Sequence, residues 1–179
     1  MKNKKADVWI SGVMYFALGV IVLTIVLTAS MPVINKLRDK NTALQTKELM
    51  FKLDDNIRTV LAEGPGSKRN VRIQIGRGDF TINDGEDTIR WEMKSSVLLS
   101  QEDKTVTEGS VDILSSKTSN PKEWMTTLTL SYGNSKKIAD IEFPPGKKLS
   151  KLSGTYNLVI QNIGDPNEDQ IINVQISEI

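Results

Sequence analysis

The feature that most constrains this chain is an uncharged, apolar run close to its N-terminus. Residues 8–34 read VWISGVMYFALGVIVLTIVLTASMPVI. A helix needs about 20 apolar residues to cross the hydrocarbon core of a bilayer, so this run is long enough to span it once. The run is too long for the apolar core of a cleavable secretory signal, so we expect the helix to remain in the mature chain.

Three positions in the run have special steric properties. Gly12 and Gly19 lie seven residues apart and offer a second helix room for a close approach, although ordinary membrane-helix composition also explains them. Pro32 lacks an N–H group, so we expect it to kink the helix near the outer boundary of the membrane.

The charges that flank the run predict its orientation. The basic residues Lys2, Lys4 and Lys5 precede it, whereas Lys36, Arg38 and Lys40 follow it together with Asp39. The small basic excess before the span favours a cytoplasmic N-terminus. We therefore predict a single-pass protein of the cell membrane whose remaining domain is extracellular.

An amphipathic segment follows the apolar run. Apolar residues recur at helical spacing, at Leu37, Leu44 and Phe51 and at Leu49, Leu53, Ile57 and Val60. Charged residues, including the pair Asp54–Asp55, are assigned to the opposite, solvated face. Gly64-Pro65-Gly66 ends the helix, because proline cannot continue it and glycine permits the exit turn.

The apolar pattern becomes alternating after Gly66, as is typical of strands. About eight short strands are predicted; Asn83–Glu86 forms one hairpin turn, and residues 156–160 face residues 172–176 in another. The predicted fold is α+β, with a long N-terminal helix, half transmembrane and half amphipathic, packed on an antiparallel β-sandwich head. The predicted parts are a short N-terminal segment (1–6), a transmembrane helix (7–35), a stalk helix (36–63) and the head domain (67–179).

Composition excludes several classes of function. The chain has no cysteine and no histidine, which excludes disulfides, thiolate zinc sites, cysteine nucleophiles and imidazole bases. Its 23 basic and 22 acidic residues nearly cancel, so no overall field favours nucleic acid. No constellation of acid, base and nucleophile is evident, so we expect neither an enzyme nor a cofactor or metal site.

Three features of the head have more ordinary interpretations than binding sites. Arg77–Asp79 is an Arg-Gly-Asp tripeptide, but it lies between two alternating runs where a hairpin needs Gly and Asp. The run Asp165-x-Asn167-x-Asp169 begins like a calcium loop, but Gln170 replaces the required Gly and Ile176 the required Glu, which favours a solvated turn. The acidic cluster Asp84, Glu86 and Asp87 could bind a cation weakly, and a solvated turn is again the favoured interpretation.

Four aromatic residues could form a platform for sugars, namely Trp91, Trp124, Tyr132 and Tyr156. Trp91 is in phase with Ile89 and Met93, so we predict that it lies in the core. Trp124 follows a polar turn at the start of a strand and is the better candidate for exposure.

Lys5-Ala6-Asp7-Val8 stands directly before the apolar helix. In that position the four residues resemble the processing site of archaeal type IV pilins and archaellins. The resemblance implies that residues 1–6 are a leader, which a prepilin peptidase cuts off between Ala6 and Asp7 on the cytoplasmic side, and that residues 7–35 form a filament-core helix. Bacterial pilins place Glu at the fifth mature position, where this chain has Ser11, and archaeal members commonly lack that Glu. The resemblance covers residues 1–62, and the head matches only as a generic β domain.

The resemblance implies a structural subunit of a type IV pilus-like filament or pseudopilus. Its partners would be membrane lipid, further copies of itself or other pilin-like subunits through the N-terminal helix, and the prepilin peptidase. The assembled form would be an extracellular filament. The alternative is a monomeric, membrane-tethered binding module, such as an adhesin or accessory factor, whose head recognises a sugar or a protein.

Overall fold

The structure is a computed structural model that describes residues 4–133, 138–144, 152–165 and 173–178. The chain divides into two compact units, residues 1–38 and residues 39–179. Helix α1, Lys4–Glu63, begins in the first unit and ends in the second.

The first unit is helical, and its described side chains between residues 11 and 34 are almost all exposed. The hydroxyl groups of Thr24, Thr28 and Ser30 each donate a hydrogen bond of 2.7–2.8 Å to the carbonyl four residues earlier. Their polar groups are therefore satisfied within the helix, as an apolar surrounding requires. By length and composition α1 can cross a membrane, so the predicted membrane helix is confirmed to that extent.

In its described residues the second unit contains the rest of α1 and eight strands. The strands are β1 Lys68–Asn83, β2 Thr88–Ser95, β3 Val106–Glu108, β4 Val111–Lys117, β5 Trp124–Ser131, β6 Asp140–Glu142, β7 Leu152–Gly164 and β8 Asn173–Glu178. They form one sheet in the order β3-β4-β5-β2-β1-β7-β8-β6. Neighbouring strands are antiparallel except β6 and β8, which are parallel.

Strand β1 is shared by the two halves of the sheet. Residues 79–83 pair with β2, residues 68–75 pair with β7, and the register shifts between Ile75 and Phe80. In the described part of the chain, residues 68–75 therefore have a strand partner on one side only.

The core lies between α1 and the sheet. Met50, Leu53, Ile57 and Val60 of α1 are fully buried, and the alternating residues of β1, β2, β4, β5 and β7 face them in one apolar cluster. The predicted α+β class, with a long helix packed on a mainly antiparallel sheet, is confirmed. The strands belong to a single hydrogen-bonded sheet, so the layer over its buried face is α1 rather than a second, separate sheet.

Both predicted hairpins are confirmed. Asn83 pairs with Thr88 around the first turn, and Ile160 pairs with Ile176 in the second. Ile172, which was also assigned to that second hairpin, lies outside the described residues.

Of the seven-residue repeat in the stalk, Leu37 and Leu44 are 57% and 44% exposed, and Phe51 is half-buried against the core. The fully packed face is instead marked by Ala43, Met50 and Ile57, which are buried. The buried positions follow steps of three and four residues, which keep one face of a straight α-helix against the sheet.

Candidate functional site

An apolar surface covers the first unit. A Cβ atom added at Gly12 or Gly19 would meet no atom within 4 Å, so both positions are bare. Trp9, Gly12, Val13 and Phe16 line an open, shallow apolar depression on the helix surface. Bulky rings on either side of a bare glycine leave a depression that a side chain of another helix can enter.

The structure does not test the roles predicted for Lys5–Val8 and Pro32, the other residues singled out in the first unit. Lys5–Val8, the processing site, belongs to α1, but the side chains of these residues lie outside the described part. Helix α1 continues through Pro32, where a kink was predicted.

The second unit begins with a buried carboxylate, Asp39. Its Oδ2 accepts hydrogen bonds from the N–H and the Oγ of Ser96, at 2.8 and 2.7 Å, and its Oδ1 accepts one of 2.6 Å from Arg77 Nη1. Burial alone raises the pKa of Asp39, but the hydrogen bonds from Ser96 and the Arg77 guanidinium outweigh it, so the pKa is lowered. This network joins the start of the second unit's helix to β1 and to the loop after β2.

The Arg-Gly-Asp tripeptide is not a hairpin turn, and that prediction was wrong. It lies inside β1 at the register shift, where Gly78 has a φ of 90° and a Cβ would stand 2.5 Å from the carbonyl oxygen of Glu92. The indole Nε1 of Trp91 donates a 2.8 Å hydrogen bond to the carbonyl of Arg77. The tripeptide therefore bends β1 over the Trp91 ring, and its arginine pairs with the buried Asp39.

Asp54 does not belong to a solvated helix face, contrary to the prediction for Asp54–Asp55. Asp54 is 5% exposed; its Oδ1 accepts a 3.0 Å hydrogen bond from the hydroxyl of Tyr132, and its Oδ2 pairs with Arg58 Nε at 2.8 Å. Burial and the Asp54 charge raise the pKa of Tyr132 well above its usual value. The group is a satisfied polar contact between α1 and the segment after β5.

The acidic turn after β1 is a structural element. Asp87 Oδ1 accepts a 2.8 Å hydrogen bond from the N–H of Ile141, and its carbonyl accepts one from the N–H of Tyr132. Burial raises the pKa of Asp87, and the charges of Asp140 and Asp84 add to this effect. In the part of the chain that the structure describes, no group of three or more acidic residues is placed so that it could hold a metal ion. Of the calcium-like run only Asp165 is described, and residues 166–172 lie outside.

The four aromatic residues considered as a platform for sugars do not lie together. Trp91 is fully buried, as predicted, but Tyr132 is 1% exposed and is unavailable to a ligand. Trp124 is partly exposed on β5, with Lys117 Nζ 5.9 Å from its ring centre, whereas Tyr156 lies on β7, three places away in the sheet.

A groove that sequence reasoning missed runs beside β1. Residues 70–74 form one wall, and a face of α1 forms the other, with Gln45, Glu48, Leu49, Lys52 and Asn56. Its volume is about 440 Å³. The one signal in the sequence is the excess of basic residues on β1.

Comparisons of the chain with protein-family models, with curated proteins and with solved structures found no match.

Proposed function

We propose that this chain is a membrane-anchored, pilin-like structural subunit of a type IV pilus-like filament or pseudopilus. The observation that carries the proposal is the first unit, where α1 exposes apolar side chains on every side and bears two bare glycines. The head extends outside the cell, and the subunits contact one another through residues 7–35.

The physical reason is that a helix that is apolar all round has two suitable surroundings. It can dissolve in lipid, or it can enter a bundle of similar helices. A subunit that is inserted first and assembled later needs both properties. Gly12 and Gly19 make the second one favourable, since small residues let helix backbones approach closely.

Processing at the Lys5–Val8 site would help the helix to pass from lipid into a bundle of similar helices. Cleavage by a prepilin peptidase between Ala6 and Asp7 would remove Lys2, Lys4 and Lys5. The mature helix would then begin one residue before its apolar run, without the basic cluster that favours a cytoplasmic N-terminus.

The decisive experiment enlarges both glycines. Gly12→Leu with Gly19→Leu keeps membrane insertion favourable, because leucine is more apolar than glycine, but fills the close-approach positions. We expect the double variant to remain in the membrane and to lose filaments or large assemblies in mild detergent.

The matched control is Ala17→Leu with Thr24→Leu. These residues have the same spacing, are exposed, and lie roughly a third of a turn away from the two glycines. We expect this variant to assemble as the wild type does. If the wild type is already monomeric in mild detergent and forms no filaments in cells, the subunit proposal fails and a tethered binding module takes its place.

A further inference from the structure

We infer that the groove between α1 and the free edge of β1 binds an extended, acidic peptide strand, which adds to the sheet beside residues 70–74. This inference concerns the head alone and goes beyond the proposed assembly through the N-terminal helix.

The first step is the state of the β1 edge. Residues 68–75 pair with β7, while β2 reaches only residues 79–83 because β1 bends at Gly78. A strand paired on one side presents the N–H and C=O groups of every second residue to the other side. Five consecutive residues, 70–74, line the groove, so it follows the strand edge itself rather than one face of the sheet.

The second step is the chemistry of the opposite wall. The lining residues of α1 recur at steps of three and four, so they form a continuous stripe along the groove. Gln45 and Asn56 bring side-chain amides, which donate and accept hydrogen bonds, and Leu49 supplies a half-buried apolar contact. An added strand would therefore meet partners on both sides, namely backbone groups of β1 and side chains of α1.

The third step is charge. Residues 68–76 contain three basic residues, Lys68, Arg69 and Arg72, and no acidic one. Arg69 pairs with Glu63 of α1, and on the opposite wall Glu48 pairs with Lys52 at 3.0 Å, whereas no acid of the described residues lies within ion-pair distance of Lys68 or Arg72. The free edge is therefore basic, and an acidic strand complements it.

The same charges disfavour a second copy of β1 as the occupant. Antiparallel pairing of the edge with itself would set this basic segment against an identical basic segment, and like charges placed opposite one another destabilise a sheet. The occupant we assign is thus an acidic segment of another sequence in extended conformation.

The test uses the full chain in detergent micelles and three fluorescently labelled heptapeptides. The probe has the sequence Glu-Val-Glu-Val-Thr-Val-Glu with blocked ends. A second peptide replaces each Glu with Lys, and a third keeps the acidic sequence but carries N-methyl groups on alternate amides, so it cannot pair as a strand. Fluorescence anisotropy measures affinity, and hydrogen exchange measured by mass spectrometry locates protected amides.

We expect the acidic probe to bind and to slow exchange in residues 68–75. The basic peptide should bind at least about fivefold more weakly, which is the scale of a few exposed charge contacts. Arg72→Glu should reduce the preference for the acidic probe. Lys94→Glu makes the same charge reversal at an exposed strand position outside the groove and should leave that preference intact.

Three results would overturn the inference. Equal binding of the N-methylated peptide would mean simple charge attraction, and binding without protection of residues 68–75 would place the peptide elsewhere. Absence of binding to a wild type with normal exchange in its core strands would mean that α1 already closes the edge.

Discussion

The loss of the Asp39 carboxylate should release the first turns of the helix in the second unit. Between residues 39 and 49 the buried residues of α1 are Asp39, Ala43 and Thr46, so little apolar burial holds this stretch to the sheet. Apart from the ion pair between Lys47 and Glu108 at its far end, the three hydrogen bonds to Asp39 are therefore the polar contacts that anchor it.

The expected magnitude follows from those three bonds. Arg77 is 57% exposed, so solvent screens its attraction, and the two bonds from the half-buried Ser96 contribute most. We expect Asp39→Ala to lower the opening free energy of residues 39–46 by about 2 kcal/mol, which corresponds to roughly thirtyfold faster amide exchange. Asp39→Asn should lower this opening free energy by less, because its amide oxygen can still accept both hydrogen bonds from Ser96.

The assay is hydrogen exchange on the full chain in detergent, with Asp55→Ala as the matched control. Asp55 is exposed on the same helix, so its variant shares the gain in helix propensity but breaks no buried contact. Unchanged exchange in residues 39–46 of Asp39→Ala would refute the reasoning, as would equal acceleration in Asp55→Ala.

The effect should also depend on pH in a defined direction. The pKa of Asp39 is lowered in the folded state, so the ionised carboxylate stabilises the fold. This stabilisation is complete above the unfolded carboxyl pKa of about 4. It is lost as the pH falls through the lowered folded pKa. The exchange difference between wild type and Asp39→Ala should therefore shrink in strong acid.

Three further predictions follow from the head and its placement. Gly78→Ala should destabilise the head by about 3 kcal/mol or more, because its φ is 90° and a Cβ would stand 2.6 Å from the Trp91 indole nitrogen; a wild-type melting temperature would contradict this. Tyr132→Phe should cost about 1–2 kcal/mol in thermal unfolding by removing a bond to the buried Asp54, and no loss would mean that this bond is replaced. Protease added to intact cells should digest the chain beyond Gly64, and a protected head would reverse the assigned orientation.

The elements that sequence reasoning predicted correctly are those with local signals. The apolar run specifies a helix by its length, and the turn at Asn83–Glu86 carries the residues that a tight hairpin needs. Trp91 was placed in the core because Ile89 and Met93 share its phase, and all three are buried. In each case the signal lies within about ten residues of the feature that it predicts.

The features that were missed depend on distant partners. Asp54 looks like a surface residue until Tyr132, 78 residues later, is folded against it. The Arg-Gly-Asp tripeptide suggests a turn until Asp39 and Trp91 are in place to hold a bend within one strand. Among the described residues, the edge of β1 at residues 68–75 has no second strand partner because β2 pairs only with residues 79–83, and no local pattern reveals where a pairing stops.

The central claim, that the chain is a processed subunit which assembles through its N-terminal helix, is tested most directly by intact-mass analysis of material sheared from the cell surface. The account predicts that this fraction contains the chain in high-molecular-mass assemblies, shortened by residues 1–6 and beginning at Asp7. Ala6→Trp should block the cut and leave the chain in the membrane. Recovery of the wild type only as a full-length, monomeric chain in the membrane fraction would contradict the account.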